Sequence, residues 1–120
     1  RSTLFPYTTL FRSGSAAIST LTDDYQYGDI TPQMMGIILG LSGECGEVQE
    51  KFKKILRDKK GEINNKDKQE LIKELGDILW YVSVAADLLG SNLEEVAKTN
   101  NEKLASRQSR QTLHGSGDNR

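Results

Sequence analysis

The chain has little that would staple, anchor or charge it strongly. Of its 120 residues one is cysteine and one is histidine, two are proline, and aromatic residues make up 7%. Cys45 alone excludes an intrachain disulfide and any multi-cysteine zinc cage, which fits a reducing compartment; the cytoplasm is the simplest expectation. No run approaches the roughly 18 apolar residues that a membrane helix needs, since the most apolar stretch, Met34 to Leu41, is short and broken by Gly36 and Gly40. Neither sign of charge dominates. With 16 basic and 17 acidic residues the net charge is −1, so no overall field favours a nucleic-acid polymer or an anionic membrane. The length suits one compact domain.

The first segment stands apart. Thr3 to Ser13, TLFPYTTLFRS, reads like a translated frame of a sequencing adapter, and as a signal peptide or strand it lacks an adequate apolar stretch and a partner. Residues 1–18 are therefore expected to be an artefactual, poorly ordered or opportunistically docked leader, and residues 19–120 the functional domain.

Beyond it the pattern is helical. Thr22 is placed to cap a short turn through Tyr27, closed by Gly28. Thr31 followed by Pro32 is an N-cap with proline at the first helical position, predicting a helix from 32 to about 58. Met34, Ile38, Leu41, Cys45, Val48, Phe52 and Ile55 fall at alternating spacings of four and three and draw one apolar stripe. Gly36, Gly40, Gly43 and Gly46 interrupt that helix, each costing up to about 1 kcal/mol relative to alanine, so a close approach of a helix or ligand is expected there. The polar run Lys59 to Lys66 reads as a loop, and Asp67 with Glu70 as a capping box for the next helix. Leu71, Leu75, Ile78, Val82, Ala85 and Leu89 form its stripe, with Gly90 as the stop. Ser91 or Asn92 then caps a shorter helix carrying Leu93, Val96, Ala97 and Leu104. Short connections favour antiparallel neighbours, so the predicted fold is all-α and four-helix-bundle-like, with apolar surface left for further copies in a homodimer or homotetramer.

Two acidic pairs carry the chemistry. Glu44 and Glu47 are three apart on the first long helix, Glu74 and Asp77 three apart on the second, and each pair borders the apolar stripe. Packing the stripes would bring four carboxylates together, whose mutual repulsion a divalent cation relieves. Oxygen ligands without histidine or cysteine suit Mg²⁺, with Mn²⁺ as a substitute. The alternative is an ordinary solvated acidic surface, of which one pair alone would be an example. Glu50 continues the series as a surface residue or a secondary partner.

The paired motif Glu44-x-x-Glu47 and Glu74-x-x-Asp77, with 26 residues between the pairs, set in GLSGECGEVQEKFKK and ELIKELGDILWYVS, resembles the MazG-like all-α NTP pyrophosphohydrolases. The likeness runs from about Leu21 to Arg120. It departs at Gly43, where the family often carries a further glutamate. The resemblance implies that Glu44, Glu47, Glu74 and Asp77 hold Mg²⁺ and form the catalytic group. A nucleoside triphosphate would be split into a monophosphate and pyrophosphate, with Glu47 one choice among the carboxylates for orienting or deprotonating the water. It further implies that Lys103 and Arg107 contact phosphate and that Asn101 reaches base or sugar. Lys54 either contacts phosphate or lies on a solvated face beside Lys51. The tail HGSGDNR resembles the family's C-terminal signature, in which backbone N–H groups wrap an anion and Arg120 closes over it. His114 there is a substrate contact or an exposed side chain. Trp80 and Tyr81 either stack on a base or pack in the core. Two other readings compete: a di-iron bundle, which lacks the Glu-x-x-His motifs it needs, and a non-catalytic helical interaction module with an acidic face.

Overall fold

The computed structural model describes residues 13–22 and 24–118. Among the described residues there are helices and turns but no strand, so the chain is all-α. A short helical segment over residues 13–19, exposed throughout, precedes three longer helices: α1 (Pro32–Lys59), α2 (Asn65–Leu88) and α3 (Leu93–Ser109). Residues 1–12, and with them nearly all of the adapter-like segment, lie outside the described residues.

The helix ends follow local chemistry. Thr31 is extended and its hydroxyl accepts from the Met34 N–H at 3.1 Å, with Pro32 opening α1 as expected. The α1 end turns through two left-handed residues, Lys60 (φ 52°) and Gly61 (φ 83°), whose N–H groups are directed to the Ile55 carbonyl. The expected capping box is shifted by three residues. Asn64, not Asp67, is the N-cap of α2: its side chain accepts from the Asp67 N–H at 2.9 Å, and Asp67 reaches back to the Asn64 N–H at 3.1 Å. Asparagine caps as well as aspartate does, and starting here places an acid at the third helical position, where it satisfies a second free N–H. Asn65 and Lys66 thereby join the helix, and the loop shortens to residues 60–64.

At the other end of α2, the Ser91 N–H bonds the Ala86 carbonyl at 2.8 Å and the Gly90 N–H bonds Asp87 at 2.9 Å, a Schellman closure around left-handed Gly90 (φ 76°). Asn92 caps α3 by accepting from the Glu95 N–H at 2.9 Å. The Thr22 turn is different from expectation. Residues 24–27 are not helical, and the Thr22 hydroxyl pairs locally with Asp24 instead. Tyr25 and Tyr27 are exposed.

The α1–α2 register is antiparallel. Lys59 meets Asp67, Lys51 meets Glu74, Glu44 lies with Asp77, and Gly40 faces Tyr81, so partners recede along the two helices in opposite directions. Gly40 is the glycine that the packing requires: a Cβ there would collide with the Tyr81 ring, which also meets Trp80 edge-on at 4.9 Å and 84°. Tyr81 is thus a packing residue of the helix pair. Gly36, Gly43 and Gly46 face open space.

Burial is shallow. Among the described residues Ile55, Leu71 and Ala86 are the buried apolar ones, and both expected stripes are only partly covered: Ile38 and Phe52 on α1, Leu75 on α2 and Leu89 just after it remain exposed. Helix α3 packs on α2, and among the described residues it makes no comparable contact with α1.

The close approach gives a paired prediction. Gly40→Ala should lose stability, because about 1–3 kcal/mol of overpacking exceeds the gain in helix propensity, which is at most about 1 kcal/mol. Gly36→Ala, with no atom to meet, should gain up to that amount. Urea midpoints check this; equal shifts in the two variants would mean that Tyr81 swings aside at no cost.

Candidate metal and phosphate site

The antiparallel register places three of the four expected carboxylates together. Glu44 from α1 and Glu74 and Asp77 from α2 offer oxygens that all lie within 4.8 Å of one another. Glu44 and Glu74 are half-buried and Asp77 is exposed, so the cluster opens to solvent on one side while the helix seam closes the other. Glu47, one turn further along α1, is exposed and outside this group of three, yet close enough for its charge to act on Glu44.

The cluster is electrostatically unfavourable by itself. Loss of hydration, then the charges of Asp77, Glu74 and Glu47, push the Glu44 carboxyl above its usual 4.5. Lys51 relieves part of the conflict. Its ammonium lies 3.2 Å from Glu74 Oε1 and 3.9 Å from Glu70 Oε2. Sequence reasoning placed Lys51 one turn beyond Glu47 and gave it no role here; the same spacing of four, read against the α2 acids, would have pointed to this bridge. Three clustered oxygens, an opening to solvent and no nitrogen or sulfur donor among them fit a hard divalent cation such as Mg²⁺ or Mn²⁺.

The basic residues are distributed unevenly. Lys54 is an exposed side chain 3.5 Å from Glu50 on the same helix. Lys103 and Arg107, four apart on one face of α3, converge on Asp118 of the C-terminal turn. They hold its carboxyl below the usual 3.8, Arg107 by hydrogen bonding first and Lys103 second. Asn101 is exposed. The open groove beside Lys103 is lined instead by Ser91, Glu95, Val96, Thr99 and Asn100. Asn100, three residues before Lys103, shares its helical face. His114 is exposed, and Arg120 lies outside the described residues. The α1–α2 carboxylates and the α3 cations are therefore carried by different helices, and among the described helices α3 packs on α2 alone.

The structure thus defines an all-α chain with a carboxylate cluster across an antiparallel helix pair and cations on the following helix. Residues 33–111 match the MazG nucleotide pyrophosphohydrolase domain, and the chain belongs to that family. It is 48% identical to Gene 37 protein of Mycobacterium phage L5 over 84 residues, 70% of this chain and 74% of that protein. It is 42% identical to the uncharacterized protein YvdC of Bacillus subtilis (strain 168) over 50 residues, 42% of this chain and 47% of that protein. No solved structure matches.

The raised Glu44 carboxyl sets a stability prediction with a definite sign. A group that holds its proton more tightly when folded favours the native state below the unfolded value near 4.5, and that contribution is lost as pH rises through the folded value. Without divalent cation, Glu44→Gln should melt higher than the wild type at neutral pH and show a flatter pH dependence above 4.5. Mn²⁺ or Mg²⁺ should raise the melting temperature of the wild type and much less that of the variant. A wild type indifferent to either ion would remove the metal from this cluster.

Proposed function

We propose that the chain is a Mg²⁺-dependent nucleoside triphosphate pyrophosphohydrolase that converts an NTP or dNTP and water into the monophosphate and pyrophosphate, in the housecleaning of a cytoplasmic nucleotide pool. The observation that carries this reading is the set of Glu44, Glu74 and Asp77 oxygens gathered within 4.8 Å across α1 and α2. Family membership supports nucleotide pyrophosphohydrolase chemistry, and no helix among the described residues is long and apolar enough to cross a membrane.

In this reading Glu44, Glu74 and Asp77, joined by Glu47, hold the cation. Bound there, Mg²⁺ would neutralise the carboxylates, engage the triphosphate oxygens and make the phosphorus more electrophilic. To Glu47, exposed and outside the tight group of three, this reading gives the role of orienting the water or taking its proton. Lys51 exchanges its bond to Glu74 for solvent or phosphate when the cation binds. Lys103 and Arg107 receive phosphate oxygens, and Asn100 or Asn101 the sugar or base. Lys54 is an outer phosphate contact.

The separation of the α3 cations from the acidic cluster, and the exposed Leu39, Leu75, Leu79, Trp80 and Leu89, argue for assembly. A homodimer or homotetramer would cover this surface and bring α3 of one copy toward the carboxylates of another.

The test is pyrophosphate release from a panel of canonical and modified nucleotides with Mg²⁺, Mn²⁺ or EDTA. Turnover should need metal and fall about 10²-fold or more in Glu47→Gln, the scale of a lost general base. A folded wild type that releases no pyrophosphate from any nucleotide would leave a non-catalytic helical module as the better account. Light scattering after size exclusion should give twice or four times the chain mass; a monomer at assay concentration would end the assembly argument.

A further inference from the structure

The C-terminal turn holds an acid where a ligand's anion would be expected. Arg107 is only 5% exposed and is the buried charged residue among the described ones. One of its guanidinium nitrogens, Nη2, donates to the Asp118 carbonyl at 2.8 Å, to Asp118 Oδ1 at 3.2 Å and to the Gly117 carbonyl at 3.4 Å. The same Asp118 oxygen lies 3.4 Å from Lys103 Nζ. One anionic oxygen thus bridges two cations from successive turns of α3, as an oxygen of a bound phosphate would.

We propose that the Asp118 carboxylate is a built-in competitor for the anion site formed by Lys103 and Arg107, and that a polyphosphate ligand must displace this turn to bind. The proposal rests on the reading above that these two cations receive phosphate.

Three further observations support displacement over a fixed structural tie. The Arg107 Nε–H is buried with no hydrogen-bond partner, so the turn leaves this guanidinium incompletely satisfied. A phosphate, unlike the single carboxylate oxygen and two neutral carbonyls now present, can engage a guanidinium through two charge-assisted bonds. The Asp118 side chain is 83% exposed, so it loses little packing when it leaves. Finally, the chain reaches this position through bends rather than regular structure. Gln111 (φ 58°), Gly115 (φ 126°) and Gly117 (φ 85°) take positive φ, and the two glycines do so without the steric cost that other residues bear. Thr112 remains anchored to the Arg107 carbonyl at 2.8 Å, which places the hinge after it.

Competition of this kind lowers the affinity of any ligand that needs both cations by the fraction of molecules in which the turn is lifted. Because the Asp118 carboxylate and the Lys103 ammonium are open to solvent, the contact sets that factor at about two- to fivefold. Binding of inorganic tripolyphosphate, measured by calorimetry with and without Mg²⁺, should therefore tighten by about two- to fivefold in Asp118→Asn and weaken in Lys103→Ala. In wild-type ¹⁵N spectra the amides of Gly115, Gly117 and Asp118 should shift as tripolyphosphate is added. Unchanged or weaker binding in Asp118→Asn would overturn the proposal and make Asp118 a positioning residue for Arg107. So would the absence of tripolyphosphate binding in both proteins, or tail amides that stay still at saturation. Tighter binding by Asp118→Asn in a protein that hydrolyses no nucleotide would retain the competitor and refute the proposed activity. Hydrolysis with unchanged affinity in the variant would do the reverse.

Discussion

The antiparallel contact between α1 and α2 is the constraint on which the remaining features depend. Each residue along a helix advances about 1.5 Å and rotates about 100°, so a slip of one residue would turn a carboxylate away from its partners. The register is fixed at both ends of the pair. Near the loop, left-handed Lys60 and Gly61 close α1, the Asn64–Asp67 box opens α2, and the Lys59 ammonium ties Asp67 across the turn at 2.6 Å. Toward the far end, Tyr81 lies over Gly40, a contact no side chain at that position would allow. Between these fixed points Glu44 has little choice but to face Glu74 and Asp77.

That enforced proximity conflicts with folding taken alone. Like charges this close destabilise a helix pair, and the upward displacement of the Glu44 carboxyl is the local sign of the conflict. Lys51 compensates incompletely because it reaches Glu74 and Glu70, leaving Glu44 and Asp77 to repel each other. A cluster that lowers stability yet sits on the best-defined part of the fold is what a preorganised cation site requires: its ligands are held by rigid elements before the ion arrives.

Much of this was legible in the sequence because helical periodicity is a local property. Thr31–Pro32, Gly90 and Asn92 announce their helix ends through chemistry that acts within one turn. The two spacings of three placed the acids on the sides of their helices that meet, and Glu44, Glu74 and Asp77 do meet. What was missed depends on comparisons the pattern alone leaves open. Asn64 and Asp67 both cap well, and only the reciprocal bond between them decides which is first. Lys51 could have belonged to solvent, to phosphate or to an acid across the seam. The tail HGSGDNR was singled out for its glycines and Arg120, but Asp118 within it was given no role, since a carboxylate near a chain end earns its meaning only when the turn folds back on α3. The apolar stripes were also read too simply, as a single seam; Leu75 and Leu89 fall on the stripe by spacing but face outward.

Those outward residues bear on how the two halves of the site come together. Among the described residues α3 packs on α2 and leaves α1, which carries Glu44 and Glu47, uncontacted. The helices joining the acids to the cations are rigid, and the connection between α2 and α3 is a tight Schellman turn with Asn92 capping immediately after it, so the chain has little freedom to swing α3 across by itself. Exposed apolar residues, by contrast, are numerous on α1 and α2, and covering them would stabilise the protein by about 25 cal/mol for each Å² removed from water. A second copy seated there, as proposed above, would supply both the missing burial and a second set of α3 cations. The exposure of Leu39, Leu79 and Trp80 and the placing of Glu44 and the α3 cations on helices that do not touch are the two features that the proposed assembly would account for together.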